Sequence, residues 1–285
     1  MEIIRCPLQM QQWSLAERRQ GRTIAFVPTM GYLHEGHLSL LRAGRQRADR
    51  LVLSIFVNPT QFGAGEDFDS YPRDLDRDST LAQPTGVDIL FSPSAAQMYP
   101  PGFATQVHLS GLTEGLCGAS RSGHFDGVTT VVSKLFGIVQ PQLALFGQKD
   151  FQQLAVIRQM TSDLNLPIEI VGMPIVRESD GLAMSSRNSY LTAELRQQGL
   201  SLSDALRQAS AAARQGQRDA AVLLDLVRHR IGQEPAARID YCAICQAQTL
   251  QTVSQVDGQS VLLLAVYFGT TRLIDNHLLL QPFPA

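Results

Sequence analysis

The chain has 285 residues, 44% of them hydrophobic, and a formal net charge of −2 at pH 7. That length and apolar content suffice for one large or two medium domains with a buried core. The near-neutral balance supplies no global electrostatic drive toward nucleic acid or an anionic membrane. No apolar run approaches a bilayer span; the longest clean one is Val261–Phe268. Met1-Glu2-Ile3-Ile4-Arg5 lacks the charged-then-apolar layout of a signal peptide, so a cytoplasmic protein is expected.

Pro7 to Gly21 reads as a short amphipathic helix with Trp13 and Leu15 as apolar contacts. Ile24–Val27 is a short apolar run, a buried strand. Pro28-Thr29-Met30-Gly31-Tyr32-Leu33-His34-Glu35-Gly36-His37 then leads into a helix that turns its leucines inward. Two imidazoles therefore stand where a helix begins, and a helix N-terminus attracts phosphate. Gly36 between them leaves room for a flat group such as a nucleobase or ribose. The same i, i+3 spacing also suits half of a metal site, or plain capping.

Arg50–Val57 is a second buried strand, ended by Asn58-Pro59-Thr60-Gln61, because Pro59 stops a ladder. Residues 63–69 form a polar loop, and Tyr71-Pro72 is expected to open a charged helix with Pro72 in its first turn. Val87–Phe91 is a third strand, and Gln106–Leu109 is expected as a fourth. A glycine-rich segment carrying Glu114, Arg121, His124 and Asp126 precedes a helix over 128–136, where apolar residues recur at helical spacing despite β-branching. Leu143–Phe146 is a strand ended by Gly147-Gln148-Lys149-Asp150, followed by a helix over 151–163 and a strand at Ile168–Val171.

This alternation predicts a doubly wound α/β domain, in which ligands gather at the carboxyl ends of parallel strands. Pro28, Asn58, Gln61, Gly147, Lys149 and Asp150 all follow predicted strands. The pattern changes after Pro174, so a first domain over 1–175 and a smaller C-terminal one over 176–285 are expected. The second is α+β: Thr192 caps a helix, helices run to about Gly232 with a break at Gln215-Gly216, and strands at 239–245, 261–268 and 273–280 form an antiparallel sheet. Cys242 and Cys245 are C-x-x-C on a predicted strand, where i and i+3 face opposite ways, and no second C-x-x-C exists. They read as core residues.

Lys149 after a strand would bring a cation to phosphate or carboxylate. Ser185-Ser186-Arg187 offers two hydroxyls and a guanidinium for triphosphate oxygens, at the junction where a lid would close. Asn58, Gln61 and Gln153 are neutral amides that orient hydroxyls and carboxylates without adding charge. Asp150 would hold Mg²⁺ or a ribose hydroxyl, or merely cap a helix. Arg121 and His124 would bind substrate, cross a subunit interface or lie on the surface. There is no G-x-x-x-x-G-K-[ST] loop and no G-x-G-x-x-G after the first strand, against P-loop ATPases and ordinary dinucleotide enzymes.

His34-Glu35-Gly36-His37 resembles the HxGH signature of the nucleotidylyltransferases. Ser54–Phe62, Tyr71-Pro72-Arg73, Phe146–Gln153 and Asp180–Asn188 are similar to the pantothenate synthetase (pantoate–β-alanine ligase) family, in the same order and over nearly the whole chain. The resemblance implies a Rossmann-like fold and an ATP-dependent ligase. It would join pantoate to β-alanine through a pantoyl adenylate, releasing pyrophosphate and then AMP. By resemblance, His34, His37, Lys149 and Arg187 are catalytic. Met30, Gly147, Gln148, Lys149, Asp150, Val176, Met184, Ser185, Ser186 and Arg187 join both histidines in binding ATP, with Mg²⁺ accompanying it. Pro28, Met30, Asn58, Gln61, Tyr71 and Gln153 would hold pantoate or β-alanine, and the enzyme would be a homodimer with small-molecule partners only. Two positions depart from the family pattern: Cys117 stands where some relatives carry an acid, which puts a subunit contact in doubt, and Gln148 where many carry Glu. Another adenylyltransferase of the superfamily and a non-catalytic nucleotide sensor are the competing readings.

Overall fold

A computed structural model describes residues 1–283. In chain order the first part contains β1 (Glu2–Ile4), α1 (Pro7–Arg19), β2 (Ile24–Thr29), α2 (Glu35–Arg45), β3 (Arg50–Ile55), α3 (Leu75–Ala82) and β4 (Ile89–Phe91). The one-turn helices α4 (Ala95–Met98) and α5 (Cys117–Ser120) follow, then α6 (His124–Val139), β5 (Leu143–Gly147), α7 (Phe151–Asp163) and β6 (Glu169–Met173). Six parallel strands lie in the order β1-β4-β3-β2-β5-β6. Alternate residues of each strand feed opposite faces. Ile24, Phe26, Val52 and Phe146 pack with α1, α6 and α7 on one side. Ala25, Val27, Leu51, Leu53 and Leu145 pack with Leu40 and Leu41 of α2 on the other. Burial on both faces is why these strands read as unbroken apolar runs.

The remaining elements are α8 (Ala193–Gly199), α9 (Ser201–Arg214), α10 (Ala220–Gly232) and the antiparallel strands β7 (Ala237–Gln246), β8 (Ser260–Phe268) and β9 (Thr271–Leu278). Thr192 accepts the Leu195 N–H as the cap of α8. One face of this sheet, with Leu262, Leu264, Val266 and Phe268, packs on α9 and α10. Its other face, with Val261 and Leu263, meets Leu116 and Phe151 of the first part. Cys242 packs with the first of these clusters and Cys245 with the second, as i and i+3 on a strand require. All four cysteines are free thiols.

Two local expectations need correction, and one strand was not expected. Residues 106–109 form no strand: the Val107 N–H donates to Thr130 Oγ1 at 3.0 Å, and the Val107 carbonyl accepts from Thr129 Oγ1. Hydroxyls of α6 take the place of a ladder. Helix α3 starts at Leu75, not at Pro72, because Asp74 caps it by accepting the Arg77 N–H at 3.0 Å. Pro72 belongs to the preceding loop, and Tyr71 is buried. Strand β1 was unforeseen, since three residues on a sheet edge carry no readable period.

Gly127 lets α6 approach the 3₁₀ turn at Pro59–Gln61. A Cβ there would sit 2.3 Å from the Thr60 carbonyl oxygen and 2.6 Å from Gln61 Cα, both backbone atoms. Gly127→Ala is therefore expected to destabilise the protein by about 1–3 kcal/mol, read as a lowered urea midpoint.

Candidate functional site

The order of the large sheet reverses beside β2: the chain passes outward through β3 to one side and through β5 and β6 to the other. Such a switch point opens a crevice at the carboxyl ends of the two central strands. Here it is a cavity of about 220 Å³. The end of β2 contributes Pro28 and Met30, and the start of α2 contributes His34 and His37. From beyond β3 come Asn58, Gln61 and Tyr71; from beyond β5, Gly147, Lys149, Asp150 and Gln153. Val176, Met184, Ser185, Ser186 and Arg187 close it from the junction with the C-terminal part.

His34 is the N-cap residue of α2. The two imidazole centroids lie 4.0 Å apart. His37 Nδ1 accepts the His34 backbone N–H at 3.2 Å, so a neutral His37 carries its proton on Nε2. His34 Nδ1 is buried without a hydrogen-bond partner. Gly36 is needed for this ring: a Cβ there would lie 2.9 Å from His34 Cε1. The space foreseen for a nucleotide is thus taken in part by the imidazole itself. Burial, and then the Lys149 cation, lower the His34 pKa to about 4. Burial, His34 and Lys149 push His37 well below its ordinary value. Near neutral pH both rings are uncharged, each with one N–H to donate, and Lys149 supplies positive charge.

The amides divide their work. Asn58 spends its side chain on the protein: Nδ2 donates to Gln61 Oε1 (3.2 Å) and the Gly127 carbonyl (3.1 Å), and Oδ1 accepts from Tyr99 (2.7 Å) and Thr60 (3.0 Å). It braces Gln61. His124, read as an open question, is buried and donates from Nδ1 to the Gln61 carbonyl at 2.8 Å. Arg121 donates to its other nitrogen at 3.1 Å and grips Glu66 through two bonds, at 2.7 and 2.6 Å. Burial, with Arg121 beside it, lowers the His124 pKa to about 4, so this ring too is a neutral strut.

Loop 63–73 is fastened to the 185–190 segment. Arg187 pairs bidentately with Asp67 at 2.9 and 2.8 Å, and Tyr71 Oη lies 3.0 Å from Ser186 Oγ. Ser185 Oγ accepts the Arg187 N–H at 3.3 Å. An incoming triphosphate would have to compete with Asp67 for Arg187. A second cavity, of about 620 Å³, lies between the two parts of the chain and shares Lys149, Asp150, Gln153, Ser185 and Arg187 with the first.

Sequence reasoning missed several contributors. Glu66 and Asp67 looked like ordinary loop acids. Val128, Val131, Val132 and Leu135 looked like plain core, yet they form an apolar wall of the first cavity with Phe56 and Leu40. Asn276 of β9 donates to the Gln148 and Lys149 carbonyls at 2.9 Å each. Nothing local to these residues points toward the cavity. Gln148, expected among the nucleotide ligands, is the one such residue absent from the cavity lining; its carbonyl is held by Asn276.

The model of the family described as Pantoate-beta-alanine ligase matches residues 2–278. The chain belongs to the pantoate-beta-alanine ligase family. It is similar to the pantothenate synthetase of Syntrophotalea carbinolica, with 63% identity over 99% of both chains. Similarity to that of Heliobacterium modesticaldum is 59%, over 97% of this chain and 98% of the relative. Among solved structures, a pantothenate synthetase from Thermus thermophilus superposes with a TM-score of 0.93 at 46% identity, covering 98% of this chain and 99% of that one. A pantoate-beta-alanine ligase from Francisella tularensis, described as complexed with beta-gamma ATP and beta-alanine, gives 0.83 at 33% identity, covering 99% and 98%. As a pantoate-beta-alanine ligase, the chain is an enzyme that joins pantoate to β-alanine. Within this ligase Cys117, the family departure noted above, is buried: its Sγ lies 3.3 Å from Tyr241 Oη and 3.4 Å from Arg272 Nη2, partners within the same chain.

The desolvated imidazoles set a pH dependence. The unfolded chain takes up a proton on His34 near pH 6.5, the folded chain only near pH 4. Stability is therefore full above about pH 6.5 and falls as pH drops toward 4. Replacing His34 with Gln is expected to remove roughly 1–3 kcal/mol of that acid loss. Urea midpoints at about pH 5 and about pH 7.5 measure it; an unchanged difference would mean that His34 is charged in the folded protein. His37 and His124 act with the same sign, so the slope shrinks without vanishing.

Proposed function

We propose that this ligase works in two steps within the crevice at the switch point. A carboxylate oxygen of pantoate attacks the α-phosphorus of ATP, the bond to the bridging oxygen breaks, and pyrophosphate leaves. The amine of β-alanine then attacks the acyl carbon of the pantoyl adenylate, loses a proton, and displaces AMP. The observation that carries this reading is the meeting of His34 and His37, Lys149, and Ser185-Ser186-Arg187 with the amides Gln61 and Gln153 around one cavity.

The chemistry needs alignment and charge stabilisation more than a strong base. Both histidines are neutral N–H donors, suited to phosphate oxygens without pairing permanently with them. Lys149 and Arg187 neutralise the triphosphate and the departing pyrophosphate, with Ser185 and Ser186 adding hydroxyl donors. Arg187 exchanges Asp67 for phosphate as nucleotide binds. Mg²⁺ arrives with ATP as part of the substrate, held mainly by phosphate and water as this ion prefers, and Asp150 offers a carboxylate in the same wall. Gly147 and Asp150 lie on the ribose side, Val176 and Met184 on the adenine side.

Pantoate takes the inner end, where Gln61, Gln153, Met30 and Pro28 face the apolar wall of α6; this mixture suits a branched dihydroxy acid. Asn58 acts through Gln61. Tyr71 couples the cavity to the 185–190 segment, and β-alanine enters through the second cavity. The domain division at residues 175 and 176 fits the split of the apolar clusters, with the C-terminal part as the lid. The family resemblance further implies a homodimer in the cytoplasm, which sedimentation and cell fractionation test directly.

Wild-type enzyme is expected to exchange labelled pyrophosphate into ATP when pantoate is present and β-alanine is not. An absolute requirement for β-alanine would overturn the two-step scheme. His34→Ala and Lys149→Ala are each expected to fold and to lose about 100-fold or more of this exchange; near wild-type exchange in both would refute their assignment.

A further inference from the structure

Between the end of β2 and the start of α2 the chain has no ladder and no helix to absorb its N–H groups. Side chains absorb them instead. The Gly31 N–H donates to Thr29 Oγ1 at 3.2 Å. The Tyr32 and Leu33 N–H groups donate to Asp78 Oδ2 and Oδ1, each at 2.7 Å. The His34 N–H goes to His37 Nδ1. Gly31 and Tyr32 have φ of +86° and +50°. Glycine adopts that region freely, whereas a tyrosine there costs about 1–3 kcal/mol and persists only if its surroundings hold it. Successive amides in such a bend make a concave anion-binding site. In this protein the anion is an internal carboxylate, supplied by α3.

Asp78 is 1% exposed, so its two bonds are little weakened by water. Arg77 clasps the next peptide of the same turn. Its Nη2 donates to the Leu33 carbonyl at 3.0 Å, its Nη1 to Asp78 Oδ1 at 3.2 Å, and its guanidinium lies 4.7 Å from the Tyr32 ring centroid. The packing leaves no slack: a Cβ on Gly31 would sit 3.0 Å from Asp78 Oδ2 and 2.9 Å from Ile55 Cγ2. His34 is the next residue along, so any rotation about Leu33 swings its ring. Asp78 itself does not line the cavity.

We propose that Asp78 is a positioning residue: by holding the Tyr32 and Leu33 amides in a left-handed bend, it aims His34 at the reacting phosphate. This inference rests on His34 being a phosphate ligand. A misplacement of about 1 Å in such an alignment costs on the order of 100-fold in rate. Asp78→Asn keeps the shape but offers a single acceptor oxygen, and its NH₂ would face the second backbone N–H.

The test compares ATP affinity, by calorimetry without pantoate, with pantoate-dependent exchange of pyrophosphate into ATP at saturation. Asp78→Asn is expected to bind ATP within about threefold of wild type and to exchange about 10- to 100-fold more slowly. Asp74→Asn, which retains a good cap on the same helix outside the turn, is expected to exchange normally. Should Asp78→Asn fail to fold, Arg77→Ala loosens the same turn from its exposed side and is expected to slow exchange about 3- to 10-fold at unchanged ATP affinity. Saturated exchange within about threefold of wild type in folded Asp78→Asn, or a loss of affinity as large as the loss of rate, overturns the positioning role. A wild-type enzyme without any pantoate-dependent exchange would refute the reading of His34 instead.

Discussion

A parallel sheet covered on both faces leaves its ligands one place to go. The helices take the faces, and hydrogen bonding takes both edges of the inner strands, so at the centre of the sheet only the strand ends stay open. In this protein β2 is the strand from which the chain runs outward on one side, and β5 starts the run on the other. The helices after these two strands diverge across opposite faces, with α2 on one side and α7 on the other. The cavity is the gap that this divergence opens, and the polar residues of the site lie around it because their loops have no other exit.

Charge is distributed within that gap with economy. The half-buried His34 and His37 of the cavity, and the buried His124 behind it, are neutral because desolvation opposes their protonation. The cations are Lys149 and Arg187, one on the parallel-sheet part and one on the junction segment. Arg187 is matched to Asp67, which orients its charge. A half-buried guanidinium without a partner would be costly; the bridge to Asp67 avoids that cost. Loop 63–73 and the 185–190 segment are thus joined through one ion pair.

The polar framework behind the site works by relay. Glu66 holds Arg121, Arg121 holds His124, and both hold the Gln61 carbonyl. Asn58 holds the Gln61 side chain from the other direction. Gln61 consequently presents an amide whose backbone and side chain are each held, which is what an orienting group requires. The turn before His34 follows the same logic, with Asp78 and Arg77 in place of His124 and Arg121.

Strand ends and the helix start were legible because an apolar run followed by Pro, Asn or Gly marks them locally, and chemistry-bearing residues stood there: His34, Gln61, Lys149. The phosphate-like cluster at Ser185-Ser186-Arg187 was visible by composition. Residues 106–109 misled because an extended, alternating segment satisfies its backbone through threonines of α6, and a pattern does not reveal which partner it finds. Asp67, Asp78 and His124 were illegible for a different reason: each acts on residues 45 to 120 positions away, and nothing in its own neighbourhood encodes that distance. The sequence by itself thus determined the doubly wound class, the strand-end residues and the family, since these depend on local period and on motifs in order. Tertiary structure alone decided which nitrogen of His37 carries the proton, that Arg187 pairs with Asp67, and that the HxGH turn is held by a carboxylate from α3. These depend on contacts across the chain, and the packing that brings β2, α3 and the junction segment together is what creates them.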